Sequence, residues 1–100
     1  MTDPAETLAA GHFIIVWRYA VSLRVVAEVR RRHAAGVDHR PLARACVGID
    51  NLLARVPDAA GESRDGEERV LPGRELSVFF EVYPDVRVVL VTEAVIRPPR

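Results

Sequence analysis

Arginine side chains are the groups in this sequence best suited to bind or act on a charged substrate. All fourteen basic residues are Arg, and none is Lys. The planar guanidinium group binds phosphate and carboxylate groups through two parallel hydrogen bonds. Three arginines of the C-terminal half, Arg64, Arg69 and Arg97, are placed where they could hold such an anion. We take all three as candidate binding residues, and Arg69 and Arg97 as candidate catalytic residues.

Each of these arginines also has a simpler structural role. Arg64 could pair with an acidic neighbour in a turn, and Arg69 and Arg97 could be solvated charges on edge strands. The run RRRH at 30–33 fits a solvated helix end, where the helix dipole favours cations. Cleaving RNA without a metal needs a base, an acid and positive charge at the phosphate. No evident acid–base pair accompanies Arg69 or Arg97.

The other reactive side chains point less clearly to chemistry. His12, His33 and His39 do not have the spacing of metal ligands, so we predict no metal site. The single Cys46 falls at an apolar helix position and is expected to be a core residue rather than a nucleophile. Tyr83 is a candidate proton donor and binding residue. There is no glycine-rich phosphate loop, and we predict no cofactor.

Composition narrows the class of protein. An apolar fraction of 49% excludes a disordered chain. The longest apolar run, residues 13–17, is far too short to span a bilayer, and the acidic N-terminus lacks the basic start of a secretory signal. We therefore expect a cytoplasmic protein that does not bind membranes. The net charge is zero, which argues against a general affinity for nucleic acid, although residues 18–44 carry +5 and residues 58–85 carry −5.

The N-terminal half has the periodicity of a strand followed by two helices. Residues 12–18 are β-branched and aromatic, which favours a buried strand. The helix after it has an apolar stripe formed by Tyr19, Leu23, Val26 and Val29. Asp38 can cap a second helix, whose apolar stripe comprises Leu42, Cys46, Ile49, Leu53 and Val56. The short link between the two stripes predicts an antiparallel helical hairpin.

The C-terminal half alternates with the period of strands. Residues 76–83 and 86–91 predict two long strands joined by a turn at Pro84-Asp85, and 69–71 predicts a shorter strand before them. The sequence therefore predicts an α+β fold in the order strand–helix–helix–strand–strand–strand. The helical hairpin packs on one face of a small, mainly antiparallel sheet. We expect residues 12–97 to form a single domain, preceded by a tail or short helix at 1–11.

Three stretches of this sequence resemble the RelE/ParE toxins of bacterial toxin–antitoxin pairs. They are "IDNLLARVP", "AGESRDGEERVL" and "LSVFFEVYPDVRVVLV", and the resemblance covers about residues 12 to 97. The second stretch is similar to small plasmid-stabilisation-type members of the family. It implies a choice of two activities. RelE-like members cut messenger RNA on the ribosome, whereas ParE-like members inhibit DNA gyrase. In both, a cognate antitoxin wraps the toxin and neutralises it.

The nuclease pattern of that family matches only in part. Ser77 stands where nuclease members have an Arg, and the preceding strand offers Glu67 and Glu68 before Arg69. Arg97 matches the family's C-terminal Arg, but no Tyr or His follows it. We therefore predict a toxin-like component that acts by binding a macromolecular target. The alternatives are a ribosome-dependent mRNA endonuclease that uses Arg69 and Arg97, or a non-toxic relic of the fold.

Two structural expectations follow from the alternation along the strands. Leu53 and Phe80 should be buried and face each other across the helix–sheet interface. Phe79, a candidate binding residue, should lie with Val89 and Val91 on the strand faces opposite Phe80. An apolar groove or a sheet edge should therefore remain open for an antitoxin segment.

Overall fold

The computed structural model describes residues 12–55, 62–63 and 68–99. The elements, in chain order, are β1 (Ile14–Trp17), α1 (Tyr19–Ala34), α2 (Arg40–Arg55), β2 (Glu62–Ser63), β3 (Glu68–Leu71), β4 (Leu76–Tyr83) and β5 (Val88–Ile96). The predicted α+β order is confirmed, with the two-residue strand β2 as an addition. The tail or short helix expected at 1–11 and the helical position of Val56 lie outside the described residues.

A single mixed sheet joins the two halves of the chain. Its strand order is β1-β5-β4-β3-β2. Strands β2 to β5 pair antiparallel, whereas β1 pairs parallel to β5. A parallel pair needs a long crossover connection, and here the helical hairpin lies within that connection. The predicted small, mainly antiparallel sheet is thus confirmed, with β1 as its parallel strand.

The turn between β4 and β5 is longer than the sequence suggested. It spans 84–87, and β5 begins at Val88 rather than Val86. Arg87 has a φ of 57°, a left-handed conformation that residues with a Cβ adopt rarely. Its carbonyl oxygen accepts a hydrogen bond of 2.9 Å from the amide of Ile14, and its guanidinium lies 4.9 Å from the ring centroid of Phe13. These contacts tie the turn to the start of β1.

The core lies between the helices and one face of the sheet. Leu53 of α2 and Phe80 of β4 are both fully buried in it, as predicted. Asp38 caps α2, because its Oδ1 accepts a 3.0 Å hydrogen bond from the amide of Arg40. The Arg40 side chain and amide hold the pKa of the Asp38 carboxyl down at about 2.

The predicted apolar stripe of α1 is wrong in register. Tyr19 is 76% exposed, and Leu23 and Val26 are also exposed. The buried side of α1 instead carries Val21, Val25 and Arg32. Apolar residues occur at helical spacing on both sides of this helix, so periodicity alone could not select the inward side.

Arginines of α1 bind the part of β5 that lies beyond β1. Strand β1 pairs only with residues 88–91 of β5. Farther along, Arg24 donates to the carbonyl oxygen of Ala94 at 2.6 Å and forms an ion pair with Glu93. Arg32, two turns later in α1, donates to the carbonyl oxygen of Arg97 at 2.7 Å. Helix α1 is therefore fixed along β5 by polar contacts as well as by its apolar side.

Within the described part of the chain, no helix is long and apolar enough to cross a membrane.

Candidate functional site on the open face of the sheet

The sheet face opposite the core, here called the open face, is not covered by α1 or α2. Cross-strand partners project from the same face of a sheet, and neighbours along a strand alternate between faces. Because Phe80 points into the core, the alternation along β4 places Ser77, Phe79, Glu81 and Tyr83 on the open face. The candidate residues Phe79 and Tyr83 therefore share this face.

A β-bulge determines which residues of β5 join them. Phe80 lies opposite Val91, but Phe79 lies opposite Glu93, so Thr92 is the extra residue of the bulged strand. The hydroxyl group of Thr92 lies 3.2 Å from the carbonyl oxygen of Phe79. The bulge thereby shifts the alternation of β5 by one residue between its two halves.

The prediction that Val89 and Val91 face away from Phe80 is wrong. Both are fully buried in the core beside Phe80, and Leu90 lies on the open face opposite Glu81. The open face keeps an apolar surface nevertheless, because other aliphatic residues occupy it. These residues are Ile14, Val16, Val70, Val88, Leu90 and Val95. Three of them, Ile14, Val16 and Val95, are exposed.

Carboxylates form the polar part of the open face near Tyr83. Glu68 of β3 lies directly opposite Glu81 of β4. The Tyr83 hydroxyl donates a 3.0 Å hydrogen bond to Glu81, and the Thr92 hydroxyl lies 3.3 Å from Glu68. A phosphate approaching this region would meet like charge, which is repulsive.

Arg97 lies at the far end of the open face and is held by the loop between β3 and β4. Its Nε donates to the carbonyl oxygen of Gly73 at 3.1 Å, and its Nη2 donates to the Ser77 hydroxyl at 3.2 Å. Its amide donates to the carbonyl oxygen of Glu75 at 3.0 Å. The Arg97 side chain is thus anchored in place by the backbone and by Ser77.

The two candidate catalytic arginines are not brought together. Arg69 of β3 lies directly opposite Phe80, so its side chain starts from the helix side of the sheet. Arg97 contacts Ser77 on the open face. The two side chains therefore leave the sheet on opposite faces. Arg64, the third predicted anion-binding residue, lies outside the described residues.

Arg32 is a buried charge that the sequence did not reveal. Its side chain is 1% exposed, although the run at 30–33 suggested a solvated helix end. Its Nε donates to Glu28 Oε2 at 2.7 Å, and Arg31 binds the same carboxylate from the solvent side. The hydrogen bonds from Arg31 and from Arg32 lower the pKa of Glu28 to about 2. In the sequence, the spacing of four residues between Glu28 and Arg32 within a helix is what indicates an ion pair between them.

A pocket of about 300 Å³ lies beside Arg32 and is lined by residues of both charge signs, including Asp38, Arg74 and Glu75. This mixture favours neither an anion nor a cation. Over residues 12–55, 62–63 and 68–99, no group of three or more His, Cys, Asp or Glu side chains is arranged to hold a metal ion.

Comparison with known proteins identifies the fold but no close relative. No family model matches the sequence, and no curated protein matches it. Among solved structures, a chain of the toxin–antitoxin complex RelBE2 from Mycobacterium tuberculosis superimposes with a TM-score of 0.62 at 13% sequence identity. The match covers 88% of this chain and 94% of that chain. The predicted RelE/ParE-like fold is confirmed, and at this identity the likeness concerns the fold alone.

Proposed function

We propose that this chain is the toxin-like component of a type II toxin–antitoxin pair, that it acts by binding a macromolecular target, and that an antitoxin segment neutralises it. The likeness in fold to a chain of a toxin–antitoxin complex supports the first part. The second part rests on the charges around the sheet, and the third rests on the apolar surface of its open face.

The observation that carries the proposal is the apolar surface of the open face. Ile14, Val16 and Val95 are exposed there. Leu90 of β5 lies beside Val16 of β1, whereas Glu93 separates Val95 from Leu90 along β5. Ile14, Val16 and Leu90 form an apolar patch at the edge of the sheet, and such patches on small domains mark protein-binding sites. Strand β1 is also an edge of the sheet, and an extended peptide can add to such an edge through main-chain hydrogen bonds.

The charges near this surface favour binding over RNA cleavage. Glu68 and Glu81 lie opposite each other on the open face, and Arg69 and Arg97 are on different sides of the sheet. Losing one preorganised charge-stabilising donor typically lowers a rate by a factor of about 10²–10³. Two arginines whose side chains leave the sheet on opposite faces, beside two carboxylates, are therefore poorly placed to bind a phosphate together.

One observation favours the alternative, a ribosome-dependent mRNA endonuclease. The guanidinium of Arg97 contacts Ser77, the position at which the resemblance to nuclease members calls for an Arg. A neighbouring strand thus supplies positive charge at that point of the sheet. Messenger cleavage mapped by primer extension tests this alternative, and cuts that vanish in Arg97→Ala would replace our proposal by the endonuclease.

The test of the main proposal is inducible expression in a bacterial host, alone and together with the product of the adjacent gene. We expect growth arrest on induction and recovery on co-expression. Val16→Glu, on the open face, should prevent recovery without preventing arrest. Val86→Glu changes a valine in the β4–β5 turn that is 61% exposed, against 43% for Val16; it is the matched control and should recover as the wild type does. Normal growth of the induced wild type would instead indicate a non-toxic relic of the fold.

A further inference from the structure

A pocket of about 300 Å³ lies where the link between α1 and α2 meets the loop between β3 and β4. Four segments of the chain line it: the last turn of α1, the link with the start of α2, the β3–β4 loop, and the residues after β5. Its charged lining residues are Arg32, Asp38, Arg74 and Glu75, and the others are aliphatic. The volume is at the lower end of the range for small-molecule sites, which is about 300–1,000 Å³.

Backbone hydrogen bonds hold the walls of this pocket in place. The amide of Val37 donates to the carbonyl oxygen of Arg32 at 2.8 Å, and the amide of Arg97 donates to the carbonyl oxygen of Glu75 at 3.0 Å. The β3–β4 loop turns tightly at Gly73, where a Cβ atom would collide with a backbone oxygen at the start of β4. Because the walls are already fixed, the pocket loses little conformational freedom when a ligand binds.

Two arginines provide hydrogen-bond donors to the pocket. Arg32 is the more buried, and its Nε and Nη2 are bound to Glu28 and to the carbonyl oxygen of Arg97, both at 2.7 Å. Its Nη1 makes no hydrogen bond to another described residue and is not sealed from solvent. Since the side chain is 1% exposed and lines the pocket, Nη1 meets solvent there. Arg74 is exposed and forms neither an ion pair nor a side-chain hydrogen bond with a described residue.

Two carboxylates provide hydrogen-bond acceptors to the same pocket. The side chain of Glu75 accepts no hydrogen bond from a described residue. Asp38 accepts two hydrogen bonds on Oδ1 and one on Oδ2, all from Arg40, so that one acceptor position on Oδ2 remains open. The side chain and amide of Arg40 hold the pKa of Asp38 down at about 2. This carboxylate therefore stays charged at neutral pH.

We propose that this pocket binds a small zwitterion, an α-amino acid with an aliphatic side chain. The ligand carboxylate accepts hydrogen bonds from Arg32 Nη1 and from the guanidinium of Arg74, which are charge-assisted and therefore strong. The ligand ammonium group donates to Glu75 and to the open position on Asp38. The aliphatic side chain of the ligand packs against the apolar lining, which consists of Val37, Pro41 and Pro99.

The charges of the lining disfavour ligands of a single charge sign and ligands without charge. An isolated phosphate would be repelled by Glu75 and Asp38, and a metal cation would be repelled by the two arginines. A wholly apolar molecule would remove water from four charged side chains without replacing the hydrogen bonds of that water. A zwitterion supplies a partner of the opposite sign to each pair. This inference does not depend on the proposed toxin function, because it uses none of the open-face residues that carry that proposal.

The experiment titrates the full, isotope-labelled chain with three probes that share one carbon skeleton. L-leucine carries both charges, N-acetyl-L-leucine keeps only the carboxylate, and L-leucinol keeps only the ammonium group; inorganic phosphate is titrated in parallel. Amide NMR spectra report both the affinity and the location of binding. We expect saturable binding of L-leucine that shifts the amide signals of Val37, Asp38, Arg74 and Glu75. The other probes should bind about tenfold more weakly or worse, because each lacks one set of charge-assisted hydrogen bonds.

Substitutions of the two outer charges test the assignment of each end of the ligand. Arg74→Ala and Glu75→Gln should each weaken the binding of L-leucine by about tenfold. Arg44→Ala and Asp85→Asn remove exposed charges of the same types outside the pocket, and both variants should bind as the wild type does. Arg32 is left in place, because its replacement also removes hydrogen bonds that hold the fold. Circular dichroism confirms that each variant is folded.

Several results would overturn the proposal. L-leucine might show no saturable binding at concentrations up to about 10 mM. Equal affinity for N-acetyl-L-leucine or phosphate would indicate a simple anion site, and equal affinity for L-leucinol would indicate a cation site. Affinities of Arg74→Ala and Glu75→Gln equal to those of Arg44→Ala and Asp85→Asn would place the bound amino acid outside this pocket.

Discussion

Replacing Arg32 should destabilise this protein more than replacing any of the exposed arginines, although Arg32 is one of three consecutive arginines at 30–32. Its guanidinium is 1% exposed and donates hydrogen bonds to Glu28 and to the carbonyl oxygen of Arg97. In Arg32→Ala, the Glu28 carboxylate loses a charge-assisted bond worth about 1.5–3 kcal/mol, and the Arg97 carbonyl is left without its donor at a cost of about 1–3 kcal/mol. We therefore expect a loss of about 3–5 kcal/mol in the free energy of unfolding, as found when one member of a buried ion pair is removed.

The neighbouring Arg31 provides a matched control. It binds the same carboxylate, but its side chain is 59% exposed. Exposed ion pairs contribute little to stability, so the unfolding midpoint of Arg31→Ala should be close to that of the wild type. Urea unfolding followed by circular dichroism measures both variants, and the slope of the transition should not change. Equal midpoints for Arg31→Ala and Arg32→Ala would refute the structural role of Arg32.

The contribution of this cluster should also depend on pH. The pKa of Glu28 is lowered from 4.5 to about 2 in the folded state. A carboxyl group with a lowered folded-state pKa stabilises the fold above its unfolded pKa and loses that effect as the pH falls through its folded pKa. The difference in stability between wild type and Arg32→Ala should therefore be constant above about pH 5 and shrink between pH 4.5 and 2. A difference that stays constant down to pH 2 would contradict the assignment.

Three further predictions concern the core and the helices. Leu53→Ala should lower the free energy of unfolding by about 2–5 kcal/mol, and a midpoint near that of the wild type would show that α2 does not pack as described. Leu23→Gln, at an exposed position of α1, should change stability by less than about 0.5 kcal/mol; a large loss would restore the apolar stripe first predicted for that helix. Burial, with a smaller effect of Asp50, raises the pKa of Cys46, so iodoacetamide should modify the folded chain more slowly than the urea-unfolded chain at pH 8. Equal rates would show that the thiol is accessible.

Most of the fold was predictable because patterning and connection lengths agreed with each other. The alternation along β4 identified Leu76, Val78 and Phe80 as its buried side, since polar and apolar residues alternate there. The apolar stripe of α2 identified Leu42, Ile49 and Leu53 for the same reason. Where only one side of a helix or strand is apolar, the hydrophobic effect determines which side packs against the core.

Two of the errors, the register of α1 and the faces of Val89 and Val91, arose where both sides of an element are apolar. In β5 the residues VVLV at 88–91 give no alternation. In a regular strand, the charged Arg87 would share a face with Val89 and Val91, which favours the solvent side for both. Arg87 instead lies in the turn with a positive φ, so its direction says nothing about the strand that follows. The pairing of Phe80 with Val91 determines which residues of β5 face the core. After the bulge at Thr92, the alternation of β5 is shifted by one residue. Neither a turn conformation nor a bulge is visible in hydrophobic periodicity.

The same assumption, that charge marks the solvent side, misplaced α1. Arg32 was assigned to the outside, yet it is buried because Glu28 and a backbone carbonyl satisfy it. The candidate site was affected in the same way, because Arg97 was treated as a free surface charge although it is bonded to Gly73 and Ser77. In a chain whose basic residues are all Arg, the guanidinium also serves to bind backbone carbonyls and buried carboxylates.

That structural use of arginine bears directly on function. Arg24, Arg31, Arg32, Arg40 and Arg97 are each engaged by a carboxylate or a carbonyl oxygen of the same chain. A count of arginines therefore overstates the charge that this protein can offer to an RNA phosphate. The exposed arginines that form no ion pair with another described residue include Arg30 and Arg44, which belong to the helices and do not lie on the open face. The open face therefore offers an apolar surface beside the carboxylates Glu68 and Glu81 and the anchored Arg97. This combination is the physical reason for the binding function proposed above.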